Sequence, residues 1–320
     1  MLPVMIAALW AAAVQASQLP IVVWHGLGDD CCSESGMSIF LTTLQDATER
    51  PVYTIRIGKN SREDRWNSLF DDANEQVRQV CADLKRQPML QNGFDAVGLS
   101  QGGQLFRAYV QRCNEPPVRR LVTIGSQHYG VISPPGCVVP ATSNDPQDFT
   151  SDSDNDDEDD NAPKWKLKYP KCSWWKRLLT SPRIIYSTRV QRSVLPAQYY
   201  RDPKHLQLYL QRNQFLADIN NETSKKNGTY KTNMEQLERF VMFKFDQERV
   251  VVPPDSSWFG HVDATGNVVS MRESVLYRED WIGLRTLDES GKVRLLTLPG
   301  PHMNITTDFI NNELSNQLNN

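Results

Sequence analysis

The stretch Phe94-Asp-Ala-Val-Gly-Leu-Ser-Gln-Gly-Gly103 decides the fold that this sequence predicts. Its apolar beginning, Phe94–Gly98, is typical of a buried strand, and the residues from Gln101 to Cys113 are typical of a helix. Between them, GLSQG matches G-x-S-x-G, a pattern that holds a serine on a sharp strand-to-helix turn with its hydroxyl exposed. The motif alone also fits an ordinary glycine-rich turn, but its flanks favour a nucleophile at Ser100.

Apolar runs on both sides of this motif predict further strands of one sheet. They are Pro20–Trp24, Val52–Ile57, Arg120–Ile124, Phe240–Phe245 and Val293–Leu298. Apolar residues spaced by three and four predict a helix over Ser61–Arg86, and a terminal helix is expected over Asn304–Leu318. Strands that alternate with helices indicate an α/β fold with a mostly parallel central sheet flanked by helices.

The alternation of strands and helices breaks down after the fourth predicted strand. Residues 145–160 consist mainly of Asp, Ser and Asn, which predicts a solvated, disordered insertion. The alternative, a calcium site, has little support because the run lacks the glycine and the spaced glutamate of an EF-hand loop. The aromatic, helix-leaning stretch from Lys164 to about Asn233 predicts a lid over the sheet.

The length and composition of the chain narrow the classes of function. Its 320 residues, of which 39% are hydrophobic, fit one domain with insertions and exclude a wholly disordered chain. The net charge of -3 provides no basic field, so we expect no nucleic-acid partner.

The first residues of the chain predict its compartment. Residues 1–16 are apolar and small and end in Val14-Gln15-Ala16, which predicts a cleaved signal peptide before a hydrolase domain at 17–320. A membrane anchor is the alternative, but the run is shorter than the roughly 20 residues that span a bilayer. We therefore expect a mature chain in the secretory pathway without a transmembrane segment. Three sequons then predict glycans at Asn221, Asn227 and Asn304.

Six cysteines are expected to pair in an oxidising compartment. Local order favours three neighbouring pairs, although the sequence permits other pairings. The pairs are Cys31–Cys32, Cys81–Cys113 and Cys137–Cys172. A free thiol pair is the alternative for the adjacent cysteines, and the spacings do not resemble a zinc site.

A serine nucleophile needs a base, and the chain offers five histidines. In α/β-hydrolases the order along the chain is serine, then acid, then histidine after the last strand. His302 fits, because it leaves the last predicted strand through a Pro/Gly loop. His25 belongs to the first loop, His128 precedes every candidate acid, and His205 and His261 fall in the lid and a polar loop.

The acid that orients the base should follow the strand Phe240–Phe245. Asp246 and Glu248 lie in the loop directly after it, and either carboxylate can orient an imidazole. Asp255 follows two prolines and is better explained as a helix N-cap. The residues alone leave the choice between Asp246 and Glu248 open.

An oxyanion hole needs two hydrogen-bond donors near the serine. One is the backbone N–H of Gln101, which follows the nucleophile, and the other should come from an early loop. The loop His25-Gly-Leu-Gly28 favours Leu27, although a simple glycine turn is the alternative.

Several motifs together resemble the palmitoyl-protein thioesterases. They are Trp24–Asp29 with Cys31-Cys32, Gly98–Gly103, Gly125–Gly130, Phe215–Asn220 and Asp255–Gly260. The resemblance implies a lysosomal α/β-hydrolase that releases long-chain fatty acids from cysteine thioesters of proteins or peptides, without a metal or organic cofactor. It also implies Ser100 as nucleophile, His302 as base, Leu27 and Gln101 as oxyanion donors, and the same three disulfides. Residues 130–240 would build the acyl groove.

Two departures from this family pattern matter. The family's acid is usually Asp, whereas an ungapped match puts Glu248 there, with Asp246 as the fallback. The acidic run is also longer than the resemblance implies. Two other functions therefore stay open: a general lipase or esterase of the same fold, and a catalytically dead fatty-acid-binding protein.

Overall fold

The central sheet consists of parallel strands in a computed structural model that describes residues 19–34, 36–132 and 181–319. The strands are β1 (Ile21–Trp24), β2 (Val52–Thr54), β3 (Phe94–Leu99), β4 (Val118–Ile124), β5 (Arg239–Phe245) and β8 (Val293–Leu298); β6 (His261–Val262) and β7 (Val268–Val269) form a separate hairpin. The order across the sheet is β2-β1-β3-β4-β5-β8, and every neighbouring pair in it is parallel.

Four α-helices precede strand β4 along the chain. They are α1 (Met37–Thr48), α2 (Ser61–Asn67), α3 (Ala73–Lys85) and α4 (Gln101–Arg112). Further α-helices lie at Pro182–Ile185, Thr188–Gln191, Leu195–Gln198, Leu206–Arg212, Leu216–Ile219, Gly228–Glu235, Val275–Arg278, Leu284–Glu289 and Ser315–Asn319. Single 3-10 turns lie at Pro88–Leu90, Pro203–His205, Pro254–Trp258 and Met271–Glu273, and a π-helix spans Phe309–Leu314.

Alternate residues of the strands fill two apolar layers, one on each face of the sheet. Val22 and Ala96 join the layer that contains Phe106 of α4. Val23 and Val97 point to the opposite layer, which contains Leu44 of α1. Because a strand covered on both faces is apolar throughout, the fully buried β1 forms a continuous hydrophobic run in the sequence, whereas the edge strands β2 and β8 are only partly buried. This sheet, with a serine on the turn after β3, is the α/β-hydrolase fold.

Several element boundaries differ from the sequence predictions. The helix predicted over Ser61–Arg86 is two helices, because Asp72 caps a new helix by accepting a 2.9 Å hydrogen bond from the Asn74 N–H. Strand β2 ends at Thr54 rather than Ile57, whose N–H donates to the Asp64 carboxylate at 2.7 Å instead of to a strand. The terminal helical segment begins at Thr307, three residues later than predicted, and continues into the π-helix. Helix α1 had no counterpart among the predictions.

Several predictions fall on residues outside the described ranges. These are the signal peptide at 1–16, the acidic insertion at 145–160, the Cys137–Cys172 pair and the part of the 130–240 segment between 132 and 181. The described remainder of that segment is helical and packs against α3 and α4: the Ala73 N–H donates to Gln198, and Arg107 donates to the Ile219 carbonyl.

Candidate active site

Ser100 occupies a tight turn between β3 and α4. Its φ of 48° and ψ of -117° are unusual for a residue with a side chain, and its N–H donates to the Ile124 carbonyl at 2.8 Å. The turn also needs glycine at position 102, because a Cβ there would lie 2.1 Å from the Trp24 carbonyl oxygen. The sharp backbone therefore projects the Ser100 hydroxyl at the carboxyl end of the sheet, where ligands bind in such folds.

His302 lies against this hydroxyl. Its Nε2 atom is 3.0 Å from Ser100 Oγ, although the two residues are 202 positions apart. The loop after β8 brings it there, and Gly125 leaves the room, since a Cβ at Gly125 would lie 3.1 Å from the ring carbon Cε1. The edge of the Phe245 ring also packs against the imidazole, with ring centres 5.9 Å apart.

Glu248 contacts the other side of the same imidazole. Its Oε2 atom is 2.6 Å from His302 Nδ1, and its side chain is fully buried. The second carboxylate oxygen, Oε1, accepts the N–H groups of Val250 and Val251 at 2.8 and 3.0 Å. The loop therefore holds the Glu248 carboxylate in place. It also accommodates the extra methylene that glutamate has relative to aspartate.

The two other candidate acids have different partners. Asp246 accepts the Gly300 N–H at 2.7 Å, and its own N–H donates to the Leu298 carbonyl, so it ties down the loop that carries His302. Asp255 pairs with Lys244 at 2.9 Å. The N-cap prediction for Asp255 is wrong, because Pro253 occupies the cap and Asp255 lies in the first turn of the 3-10 helix.

The two predicted oxyanion donors belong to segments that flank Ser100. Gln101 is the first residue of α4, so its N–H has no acceptor within the helix, and its side chain turns away to donate to the Ser68 carbonyl at 3.0 Å. Leu27 follows Gly26, whose backbone is so near that a Cβ on it would lie 3.2 Å from Ser100 Cβ. Both loops are buried beside the serine.

Comparison with known proteins shows the family of this chain. The family model described as palmitoyl protein thioesterase matches residues 20–302. The chain belongs to the palmitoyl-protein thioesterase family. It is 35% identical over 300 residues to palmitoyl-protein thioesterase 1 of Caenorhabditis elegans, covering 93% of this chain and 90% of that protein. It is 28% identical to palmitoyl-protein thioesterase 3 of Dictyostelium discoideum, with 93% and 90% covered.

A more distant relative bears a different name. The chain is 26% identical to lysosomal thioesterase PPT2 of Bos taurus, over 87% of this chain and 79% of that protein. Membership of the palmitoyl-protein thioesterase family makes the chain a thioester hydrolase.

The remaining histidines of this thioesterase have partners other than Ser100. His128 is buried, lies 2.9 Å from Thr123 Oγ1 and stacks on Phe259; burial and nearby Arg107 hold its pKa well below the ordinary value. His261 stacks on the Tyr129 ring, and burial lowers its pKa to about 4. His205 is half-exposed and pairs with Asp202 at 2.8 Å. His25 is the first residue of the predicted oxyanion loop, and its ring contacts Gly26 and Asp64.

Sequence reasoning missed two residues, Asp64 and Ser68, that hold the first loop and the residues after it in place. Asp64 of α2 accepts the Cys31 N–H at 2.8 Å, and its other oxygen accepts the Ile57 N–H. Ser68 accepts the Gly28 N–H at 2.8 Å. Asp64 and Ser68 stand in a polar stretch that resembles an exposed helix face, so the sequence contains no signal for their role.

Two of the predicted cysteine pairs are disulfides in the structure. Cys31–Cys32 closes the far end of the first loop. Cys81–Cys113 joins α3 to the end of α4 across 32 residues, which corresponds to about 3–4 kcal/mol in the chain-entropy model of disulfide stabilisation.

The predicted glycosylation sites differ in exposure. Asn221 is buried, and its Nδ2 atom donates both hydrogens, to the Asn227 and Trp281 carbonyls. This leaves no room for a glycan and contradicts the prediction at Asn221. Asn227 and Asn304 are exposed, and glycans there stay predictions.

The described residues include no group of three or more His, Cys, Asp and Glu side chains placed to hold a metal ion. No helix in the same ranges is long and apolar enough to cross a membrane.

Proposed function

We propose that this chain hydrolyses long-chain fatty acyl thioesters of cysteines in S-acylated proteins or peptides, through a triad of Ser100, His302 and Glu248. The observation that carries the proposal is the continuous contact from Glu248 through the imidazole to the Ser100 hydroxyl. A serine is a weak nucleophile until an adjacent base removes its proton, and an acid that fixes the imidazole makes the base effective.

The reaction would proceed by two acyl transfers. Ser100 Oγ attacks the thioester carbonyl while His302 Nε2 takes its proton, and the Leu27 and Gln101 N–H groups stabilise the oxyanion. The substrate's cysteine thiolate leaves, and the acyl group remains on Ser100 as an ester. Water, activated by the same imidazole, then attacks this ester and releases the fatty acid. The chain's own residues suffice for each step without a metal or an organic cofactor.

The acyl chain would bind in a groove built by residues 130–240. The part of this segment from 181 onward supplies buried aromatic and aliphatic side chains next to α3 and α4, among them Tyr186, Leu195 and Phe215. Each methylene buried in such a groove contributes roughly 0.8 kcal/mol, so long chains would be preferred.

The proposed compartment is the lysosome or another part of the secretory pathway. The predicted signal peptide at 1–16 supports it, as does the likeness to proteins named lysosomal thioesterase in cattle and Drosophila melanogaster. The disulfides also favour an oxidising route.

The test is hydrolysis of an S-palmitoylated cysteine peptide by the purified chain. We expect turnover by the wild type and its loss in Ser100→Ala, whereas Ser290→Ala, an exposed serine outside the 130–240 segment, should match the wild type. Full activity of Ser100→Ala would overturn the triad.

The same assay separates the two alternative functions. Comparable turnover of the matching oxygen ester would favour a general esterase. Palmitate binding without any turnover, unchanged in Ser100→Ala, would favour a catalytically dead binding protein.

A further inference from the structure

A second histidine–carboxylate pair lies behind the loop that carries Leu27. His25, at the end of β1, is 2% exposed, and Asp64 of α2 is fully buried. His25 Nδ1 is 3.0 Å from the Gly26 carbonyl oxygen, and its Nε2 is 3.1 Å from Asp64 Oδ1. The Nε2 contact is an ion pair rather than an aligned hydrogen bond, because Nε2 has no partner with hydrogen-bond geometry.

The partners of this ring decide its protonation state. A carbonyl and a carboxylate can only accept, so both contacts are attractive only if both ring nitrogens carry hydrogens. Burial alone would lower the pKa of His25, but Asp64 and the Gly26 carbonyl raise it overall above the ordinary value. Asp29 of the same loop adds to this effect. The two acceptor contacts and the raised pKa both favour the imidazolium form of His25, paired with the buried Asp64 carboxylate.

The carbonyl that His25 holds belongs to the peptide group of the proposed oxyanion donor. The Gly26 C=O and the Leu27 N–H are the two ends of one planar amide, so fixing the oxygen fixes the direction of the N–H. A cationic donor on the oxygen also polarises the amide, which strengthens its N–H as a hydrogen-bond donor. A Cβ on Gly26 would lie 3.2 Å from Ser100 Cβ, so this amide lies next to the proposed nucleophile.

Asp64 is anchored from two other sides. Its oxygens accept the Ile57 N–H at 2.7 Å and the Cys31 N–H at 2.8 Å, so the carboxylate cannot swing away from His25. The loop is also held at Gly28, whose N–H donates to Ser68. The pair is therefore a rigid support between α2 and the loop.

We propose that His25, held as an imidazolium by Asp64, is a positioning residue that aims and polarises the Leu27 N–H toward the oxyanion formed at Ser100. The inference rests on the proposed function, because it assigns a role within that oxyanion hole. Its energetic effect belongs to the transition state, where the negative charge develops, rather than to substrate binding.

Two substitutions of His25 separate this role from a structural one. In His25→Asn, the amide nitrogen takes about the place of Nδ1 and can still donate to Gly26. In His25→Gln, the amide reaches toward the place of Nε2 and Asp64 instead. We measure kcat and KM on a palmitoyl-cysteine peptide, affinity for a palmityl trifluoromethyl ketone as transition-state analogue, affinity for palmitate, and the melting temperature. Arg272→Gln, which removes an exposed ion pair with Asp288 outside the 130–240 segment, is the control.

Removal of one oxyanion donor lowers kcat by roughly 100- to 1,000-fold in serine hydrolases, and a misdirected donor should cost less. We expect kcat to fall about 10- to 100-fold in His25→Gln, with KM and palmitate affinity unchanged and ketone affinity reduced in proportion to kcat. His25→Asn should retain at least about fivefold more kcat than His25→Gln, and Arg272→Gln should match the wild type.

Equal kcat for the two His25 variants, or a kcat loss that follows the melting temperature without a change in ketone affinity, would overturn the proposal. If His25→Gln does not fold, Asp64→Asn replaces it. This variant removes the charge that holds the imidazolium, and an unchanged kcat there would equally contradict the role. Failure of the proposed function is distinguishable, since it appears as full activity in Ser100→Ala.

Discussion

Two histidine–carboxylate pairs flank Ser100, and they differ in what the second ring nitrogen faces. His302 turns one nitrogen to Glu248 and the other to the Ser100 hydroxyl, which can give up a proton. His25 turns one nitrogen to Asp64 and the other to a peptide carbonyl, which can only accept. Both carboxylates are buried.

The difference teaches which histidine can act as a base. A ring that donates to Glu248 from Nδ1 keeps a lone pair on Nε2 and can take the serine proton. A ring that donates to two acceptors has no lone pair to offer. In the proposed mechanism the same two residue types therefore serve as a proton acceptor in one pair and as a fixed positive charge in the other.

Among the substitutions in the two pairs, replacement of His302 should lower kcat the most. We expect His302→Ala to lower kcat by about 1,000-fold or more, because the Ser100 hydroxyl loses its base, while residual activity stems from the oxyanion hole. Palmitate affinity and the melting temperature should change little. A loss smaller than that in His25→Gln would reverse the roles assigned to the two pairs.

Replacement of Glu248, the acid that contacts His302, should cause the next largest loss of kcat. Glu248→Gln removes the charge that orients and stabilises the imidazole, and we expect kcat to fall about 100- to 1,000-fold. The matched control, Asp246→Asn, removes a charge from the same loop but touches Gly300 rather than the imidazole. It should cost no more than about tenfold. The reverse order of the two losses would assign the acid to Asp246.

The pH dependence of the unfolding free energy is a smaller effect, and it tests the charge assigned to His25. The pKa of His25 is raised in the fold, so its contribution is complete below the unfolded value of about 6.5 and is lost as pH rises through the folded value. The free energy of unfolding that the wild type gains over His25→Asn should therefore shrink as pH rises from about 5 to 8. A gain that grew with pH would contradict the buried imidazolium.

His128 provides the opposite case in the same experiment. Its pKa lies well below the ordinary value, so the wild type loses stability as pH falls below about 6.5. The difference in unfolding free energy between the wild type and His128→Asn should therefore change with pH in the opposite direction to that of His25→Asn. If the two differences in unfolding free energy changed with pH in the same direction, burial alone would set the pKa of both rings.

The sequence predicted the first pair in part and the second not at all. Ser100 was predictable because G-x-S-x-G is a local pattern with local flanks, and His302 because it follows the last strand. Glu248 needed an alignment to a known family, since Asp246 fits the same loop. The role of His25 depends on Asp64, which stands in an apparently solvated helix. No local pattern encodes the contact of His25, directly after β1, with Asp64 of α2. This contact arises only when the loop after β1 packs against α2.

The most direct test of the account is to trap the acyl-enzyme. The wild type is mixed with a palmitoyl-cysteine peptide, quenched in acid within the first turnover, digested and analysed by mass spectrometry. The account predicts a palmitoyl ester on the peptide that contains Ser100, and none in Ser100→Ala. A palmitoyl group on another residue, together with undiminished turnover in Ser100→Ala, would contradict it.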